Sequence, residues 1–129
     1  MSNLILGDID ITSLIRAKSK LDEALSKAID WLDKTGAIQC FEYSYELSWK
    51  FMKKILYKKG LDYRNPKDVF RAAAQNNLIE EPEIWFHFID LRNETSHTYD
   101  DKKADEVFNE LPRFQLELNK FLDAIQKLK

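Results

Sequence analysis

Apolar residues recur at three- and four-residue steps along almost the whole chain, and very little interrupts them: of 129 positions only three are glycine and three proline. A repeat near 3.6 residues puts such side chains on one face of a helix. With so few turn-forming residues the elements must be long and the connections short. That disfavours a sandwich or barrel, whose many strands need many turns.

The stripe Leu14, Ala17, Leu21, Ala24, Leu25, Ala28 and Leu32 predicts a first helix, ended by Thr35 and Gly36. A second, Ala37, Cys40, Phe41, Ser44, Leu47, Phe51 and Ile55, runs to Lys58 and Lys59 before Gly60, where basic side chains suit a helix C-terminus. Asn65-Pro66 supplies a cap and a first-turn proline for a shorter helix to about Gln75, and Asn77 can take the left-handed conformation that stops it. Pro82 opens a helix through Trp85, Phe88 and Leu91 toward Tyr99. The last, from about Lys103 to Leu128, contains Pro112, which predicts a kink or a restart there. Four long helices and one short one, closely joined, predict an all-α, up-and-down four-helix bundle with an additional short helix, residues 1–129 forming one domain.

The net charge of −2 offers no global attraction to a polyanion, so any nucleic-acid contact has to be local or shared between subunits. The single cysteine, Cys40, cannot close an intramolecular disulfide or make a thiolate metal site and reads as a core residue. No apolar run reaches the ~20 residues that span a bilayer, and Met1–Gly7 lacks the pattern of a secretory leader. A soluble cytoplasmic protein that does not engage membranes is the expectation.

The densest chemistry lies in Leu91-Arg92-Asn93-Glu94-Thr95-Ser96-His97-Thr98-Tyr99-Asp100. Histidine moves protons near neutral pH, and arginine grips a phosphate bidentately without losing charge. On a continuous helix Asn93 and His97 share a face but Arg92 and His97 do not stack, so convergence on one phosphate needs the arginine to bend along the helix or a second copy to complete the site. The competing reading is a pair of solvated side chains favourable to the helix C-terminus. His87, in Trp85-Phe86-His87-Phe88, has no polar partner visible in sequence and reads as an interface or partly buried histidine.

Glu42, Glu46 and Lys50 follow at four-residue intervals on one helix face. Two carboxylates are too few for a hard cation, so this stripe reads as a salt-bridged face rather than a metal site. Tyr43, Tyr45 and Trp49 either stack on bases or pack the bundle, packing being the commoner use. There is no Gly-rich phosphate loop, zinc-ligand spacing or serine-nucleophile motif, and Asp8-Ile9-Asp10 lacks the strand and Gly-Ser context of a nucleotidyltransferase. No metal or cofactor is assigned.

Taken together, the string Phe41-Glu42-Tyr43-Ser44-Tyr45-Glu46-Leu47-Ser48-Trp49-Lys50, the Asn77-Leu78-Ile79 and Trp85 positions, and the block from Arg92 to Asp100 resemble the nucleotidyltransferase substrate-binding family of the HEPN superfamily, over about Leu21 to Asp105. The resemblance implies a HEPN-like four-helix bundle, a homodimer, and a separate minimal nucleotidyltransferase as partner. For HepT-like members it implies a ribonuclease toxin of a toxin–antitoxin pair acting on RNA. Arg92 and His97 then become catalytic candidates, Asn93 a supporting nucleotide- or RNA-binding residue, and Tyr99 a site of adenylylation by the partner. The alternative is a non-catalytic subunit presenting a nucleotide or acceptor to that enzyme. Cys40 stands where relatives often carry a basic residue, and Asn77 where they often carry glycine.

Overall fold

The computed structural model describes residues 2–129, and 75% of the chain is helical. Helix α1 spans Thr12–Lys27, α2 Trp31–Lys58, α3 Pro66–Gln75, α4 Pro82–Glu94 and α5 Asp101–Gln126. The central element is α2, which packs against α1, α5, α3 and α4, while α5 also meets α1 and α4. Five helices around one aromatic-rich core match the sequence expectation. Trp85, Phe41, Phe70, Phe88, Phe114 and Phe121 are its largest fully buried side chains.

The first helix boundary differs from expectation. The chain breaks at Ala28-Ile29-Asp30, and Thr35 and Gly36 lie inside α2. The cause is a capping box: the Asp30 carboxylate accepts from the Asp33 amide at 2.9 Å, while Asp33 accepts from the amides of Ile29 and Asp30. Backbone donors at the start of the new helix are thereby satisfied, which outweighs the roughly 1 kcal/mol that an interior glycine costs against alanine. Leu32, which periodicity assigns to the buried stripe, is instead exposed, as is Ile29 beside it. Asp30→Ala is expected to lower stability by about 1 kcal/mol in urea unfolding.

The bundle is all-helical as expected but for a small hairpin that precedes α1. Strands β1 (Leu4–Ile5) and β2 (Ile9–Asp10) pair antiparallel, with Leu4 opposite Asp10 and Ile5 opposite Ile9. Leu6 and Gly7 both adopt positive φ, 49° and 89°, in the turn. Two-residue strands carry too little alternation to register in a sequence. The hairpin exists because Ile5, Ile9 and Ile11 are buried against the bundle and the Leu6 amide donates to the Leu128 carbonyl at 3.0 Å.

Elsewhere the local signals hold. Asn65 caps α3 by accepting from the Asp68 amide at 3.0 Å, and Asn77 sits at φ 63° just after it. Pro112 does not restart a helix: α5 continues through it, with the proline exposed on the outer face. Cys40 is only partly buried, at the rim between α1 and α2 rather than in the core. Burial still raises its thiol above the ordinary cysteine range, against a smaller opposing effect of Lys20. His87 is half-exposed and has a partner after all, its Nε2 lying 2.9 Å from a Glu110 carboxylate oxygen on α5.

Candidate functional site

Helix α4 ends at Glu94, five residues short of the expected Tyr99, and a single 3-10 turn, Thr95–His97, follows. Local hydrogen bonds explain the stop. The Thr95 hydroxyl donates to the Arg92 carbonyl at 2.7 Å and accepts from Arg92 Nη1 at 2.9 Å, which draws the backbone into i to i+3 geometry. The Ser96 and Thr98 hydroxyls donate in the same sense to the carbonyls of Asn93 and Thr95. Asp100 then caps α5 by accepting from the Lys102 amide.

The shared helical face of Asn93 and His97 therefore does not form, since the α-helix has ended between them. Asn93 is exposed; its backbone carbonyl accepts from the Ser96 hydroxyl, and its side chain makes no hydrogen bond among the described residues. His97 is exposed, with no side-chain hydrogen bond among the described residues. Its ring stands edge-on to Tyr99, centroids 6.5 Å apart, and Tyr99 is 78% exposed. Both rings are thus open to a ligand at the tight joint between α4 and α5.

Arg92 is half-buried and reaches across to α2. Its Nη1 lies 3.3 Å from Glu42 and its Nε 3.7 Å from Glu46. The acidic stripe is indeed a salt-bridged face, but its cation comes from α4 rather than from Lys50. Glu46 also accepts from the Trp49 indole at 3.1 Å. The carboxylates hold the guanidinium in one place and offset its charge, so an incoming phosphate has to compete with them. Arg92 Nε is buried without a hydrogen-bond partner among the described residues, its near neighbour being the Glu46 carboxylate.

Two neighbours escaped sequence reasoning. Trp31, at the start of α2, donates its indole N–H to the Thr98 carbonyl at 3.2 Å, fastening the joint 67 positions along the chain. Thr95, buried, locks the arginine. An Arg-x-x-Thr pair is a weak local hint of the second, and the first has no sequence signal. Of the aromatic trio, Tyr45 is buried, Trp49 half-buried and Tyr43 exposed, so only Tyr43 is free to stack. Burial pushes the Tyr45 hydroxyl well above the ordinary tyrosine range, reinforced by Glu46 and opposed by Arg92.

A five-helix bundle of this connectivity, with an Arg-x4-His segment at the α4–α5 joint, is a HEPN-type helical module. Residues 9–127 match the family model described as nucleotidyltransferase substrate binding protein like, and the chain belongs to that family. It is 37% identical over 97 residues to a Haemophilus influenzae protein named probable ribonuclease HepT, the match covering 71% of this chain and 66%, just under two thirds, of that relative. Among solved structures it superposes with TM-score 0.81 and 30% identity on HI0074 of Haemophilus influenzae, described as revealing the fold of a substrate binding domain of a nucleotidyltransferase. That match covers 90% of this chain and 98% of HI0074. A protein from Thermus thermophilus matches with TM-score 0.80 and 29% identity over 87% of this chain and 98% of its own. No helix among the described residues is long and apolar enough to cross a membrane.

Proposed function

We propose that this chain is a HepT-type ribonuclease controlled by a separate minimal nucleotidyltransferase. The observation that carries the reading is the exposed His97, without a hydrogen-bond partner among the described residues, one 3-10 turn beyond an arginine already held in place. In the proposed reaction the 2′-oxygen of RNA forms a bond to the adjacent phosphorus as the bond to the 5′-oxygen breaks. His97 serves the proton transfers, and Arg92 stabilises the charge gathering on the phosphate oxygens. Each chain supplies a single histidine in this motif, so a two-fold dimer bringing two motifs to one cleft supports removal of one proton and delivery of another. Single-stranded or looped RNA is the fitting substrate, since its backbone can bend to the in-line geometry.

Tyr99 fits the role of a charge switch in the toxin–antitoxin arrangement. Its exposed ring lies beside His97, so an adenylyl group there adds a negative phosphodiester and a bulky nucleotide at the reaction surface. A second reading, a non-catalytic subunit presenting a nucleotide to the partner enzyme, draws support from the two carboxylates that already offset Arg92. Purified protein and single-stranded RNA in EDTA separate the two. The ribonuclease cleaves, and the binding subunit leaves RNA intact while retaining the partner. Incubated with the partner nucleotidyltransferase, ATP and magnesium, wild-type protein is expected to gain AMP by mass spectrometry and lose cleavage, whereas Tyr99→Phe gains none and stays active. An equal adduct on both proteins overturns the switch.

A further inference from the structure

A groove of about 690 Å³ lies between the hairpin and the second half of α2, away from His97 and Tyr99. Its α2 wall is a basic run in an otherwise acidic chain. Five lysines fall between Lys50 and Lys59, and no acidic residue stands between Glu46 and Asp62. Lys58 and Lys59 have a structural explanation at the helix C-terminus. Lys50, Lys53 and Lys54 lie one to two turns earlier, beyond useful reach of the helix end, and have no ion-pair partner among the described residues. Lys50, Lys54 and the ring of Tyr57, 66% exposed, lie within an arc of about 60° along roughly 10 Å of helix.

From this arrangement we infer that the lysine wall of the groove is a binding track for single-stranded RNA, with Lys50, Lys53 and Lys54 taking backbone phosphates and Tyr57 stacking on a base. The groove is open, its basic and aromatic side chains are spread over two turns of helix rather than gathered at one point, and it pairs ammonium groups with an exposed aromatic face, the combination single strands use. A concave wall of lysine stems is poorly shaped for a flat lipid surface. Asp8 and Asp10 on the opposite wall offset only part of the charge of the groove's lysines, Lys50, Lys53, Lys54 and Lys58. Asp8 is paired to Lys58, and Asp10 accepts from the Thr12 amide at 2.9 Å and hydroxyl at 2.6 Å. Asp10 stays anionic, since the Thr12 hydroxyl and amide hold its carboxyl below the usual range, and so it confines a phosphate backbone to the lysine wall. Lys50, at one end of the track, follows Glu46, a partner of Arg92, by one turn of α2. This inference rests on the ribonuclease reading for its choice of RNA, and it gives that reaction a place for the nucleotides flanking the cut.

The test is fluorescence anisotropy of the full chain with a labelled twelve-nucleotide 2′-O-methyl oligouridylate, which cannot be cleaved through its 2′-oxygen, between about 50 and about 200 mM salt. The triple variant Lys50→Gln, Lys53→Gln, Lys54→Gln is expected to bind at least about tenfold more weakly and to lower the salt slope by about two, at ~0.7 per lost phosphate contact on a single strand. Tyr57→Ala should weaken binding about fivefold or more without changing the slope. The corresponding triple Lys→Arg variant should bind as wild type, and circular dichroism should show all variants folded. Unchanged affinity and slope in the folded glutamine variant overturn the track. So does equal affinity for an oligoglutamate of the same charge, or lysine-dependent binding to phosphatidylserine vesicles with none to the oligonucleotide. If ordinary RNA stays uncut in EDTA while the lysine-dependent binding persists, the ribonuclease reading fails and the track stands. If RNA is cut and the glutamine variant binds as wild type, the track alone fails.

Discussion

His97→Ala is expected to reduce RNA cleavage in EDTA by roughly 10²- to 10⁴-fold, the usual worth of a positioned acid–base group, while leaving the unfolding midpoint unchanged. The separation of activity from stability follows from the environment: the imidazole is exposed, and its close aromatic neighbour is the equally exposed Tyr99. Arg92 cannot be tested as cleanly. Removing its side chain strips a hydrogen bond from Thr95 and leaves Glu42 and Glu46 facing one another without their shared cation, so Arg92→Ala loses stability along with function. Arg92→Lys is the better probe. It keeps a charge between the carboxylates but cannot make a bidentate phosphate contact, so activity should fall further than stability. Undiminished cleavage by folded His97→Ala protein, followed by gel electrophoresis, would return the histidine to an ordinary surface role.

For stability the largest single effect is expected at Trp85. It is fully buried and sits among Phe70, Phe88, Phe114 and Phe121 at ring-centroid distances of 5.3, 5.2, 5.8 and 6.4 Å. These rings come from α3, α4 and α5, so truncation opens a void where three helices meet. Trp85→Ala should cost about 3–5 kcal/mol, enough to lower the melting temperature by roughly 10–20 °C in a chain of this size. The indole N–H, however, has no hydrogen-bond partner among the described residues, an omission worth about 1–3 kcal/mol. Trp85→Phe removes that unpaired donor together with part of the volume, and the two changes oppose each other. It should therefore cost less than about 1.5 kcal/mol. Calorimetry of the two variants decides the matter: a loss for Trp85→Phe well above about 1.5 kcal/mol would mean that the indole N–H contributes to stability rather than costing it.

How much of the molecule is legible in its sequence follows the range of the forces involved. Helix identity rests on apolar spacing and on caps such as Asn65 with Pro66, which act within a few residues and are written side by side. The break between α1 and α2 is also local, yet spacing misplaces it, because Thr35-Gly36 advertises a stop and the Asp30–Asp33 box resembles ordinary surface acid. Here two short-range signals compete, and the one that satisfies more backbone amides wins. The hairpin lies beyond local reading, since strands this short owe their existence to the bundle surface beneath Ile5, Ile9 and Ile11.

By itself the sequence determined an all-helical bundle and singled out the Arg92-to-Tyr99 segment as the candidate site, because hydrophobic period and residue type are properties of neighbouring positions. Only the tertiary structure decided what those side chains face. Glu42 and Glu46 met Arg92 instead of Lys50, Trp31 fastened the Thr98 carbonyl, and His87 found Glu110, each across a gap in sequence that no spacing rule spans. The same holds for Lys50, Lys53 and Lys54. On a bare helix they are a solvated face, and they become one wall of a groove only because three isoleucines bury the hairpin and thereby set Asp8 and Asp10 opposite them. Helix formation is settled by local hydrogen bonds and spacing, whereas a site needs groups from separate elements, and their meeting is fixed by how the apolar faces pack.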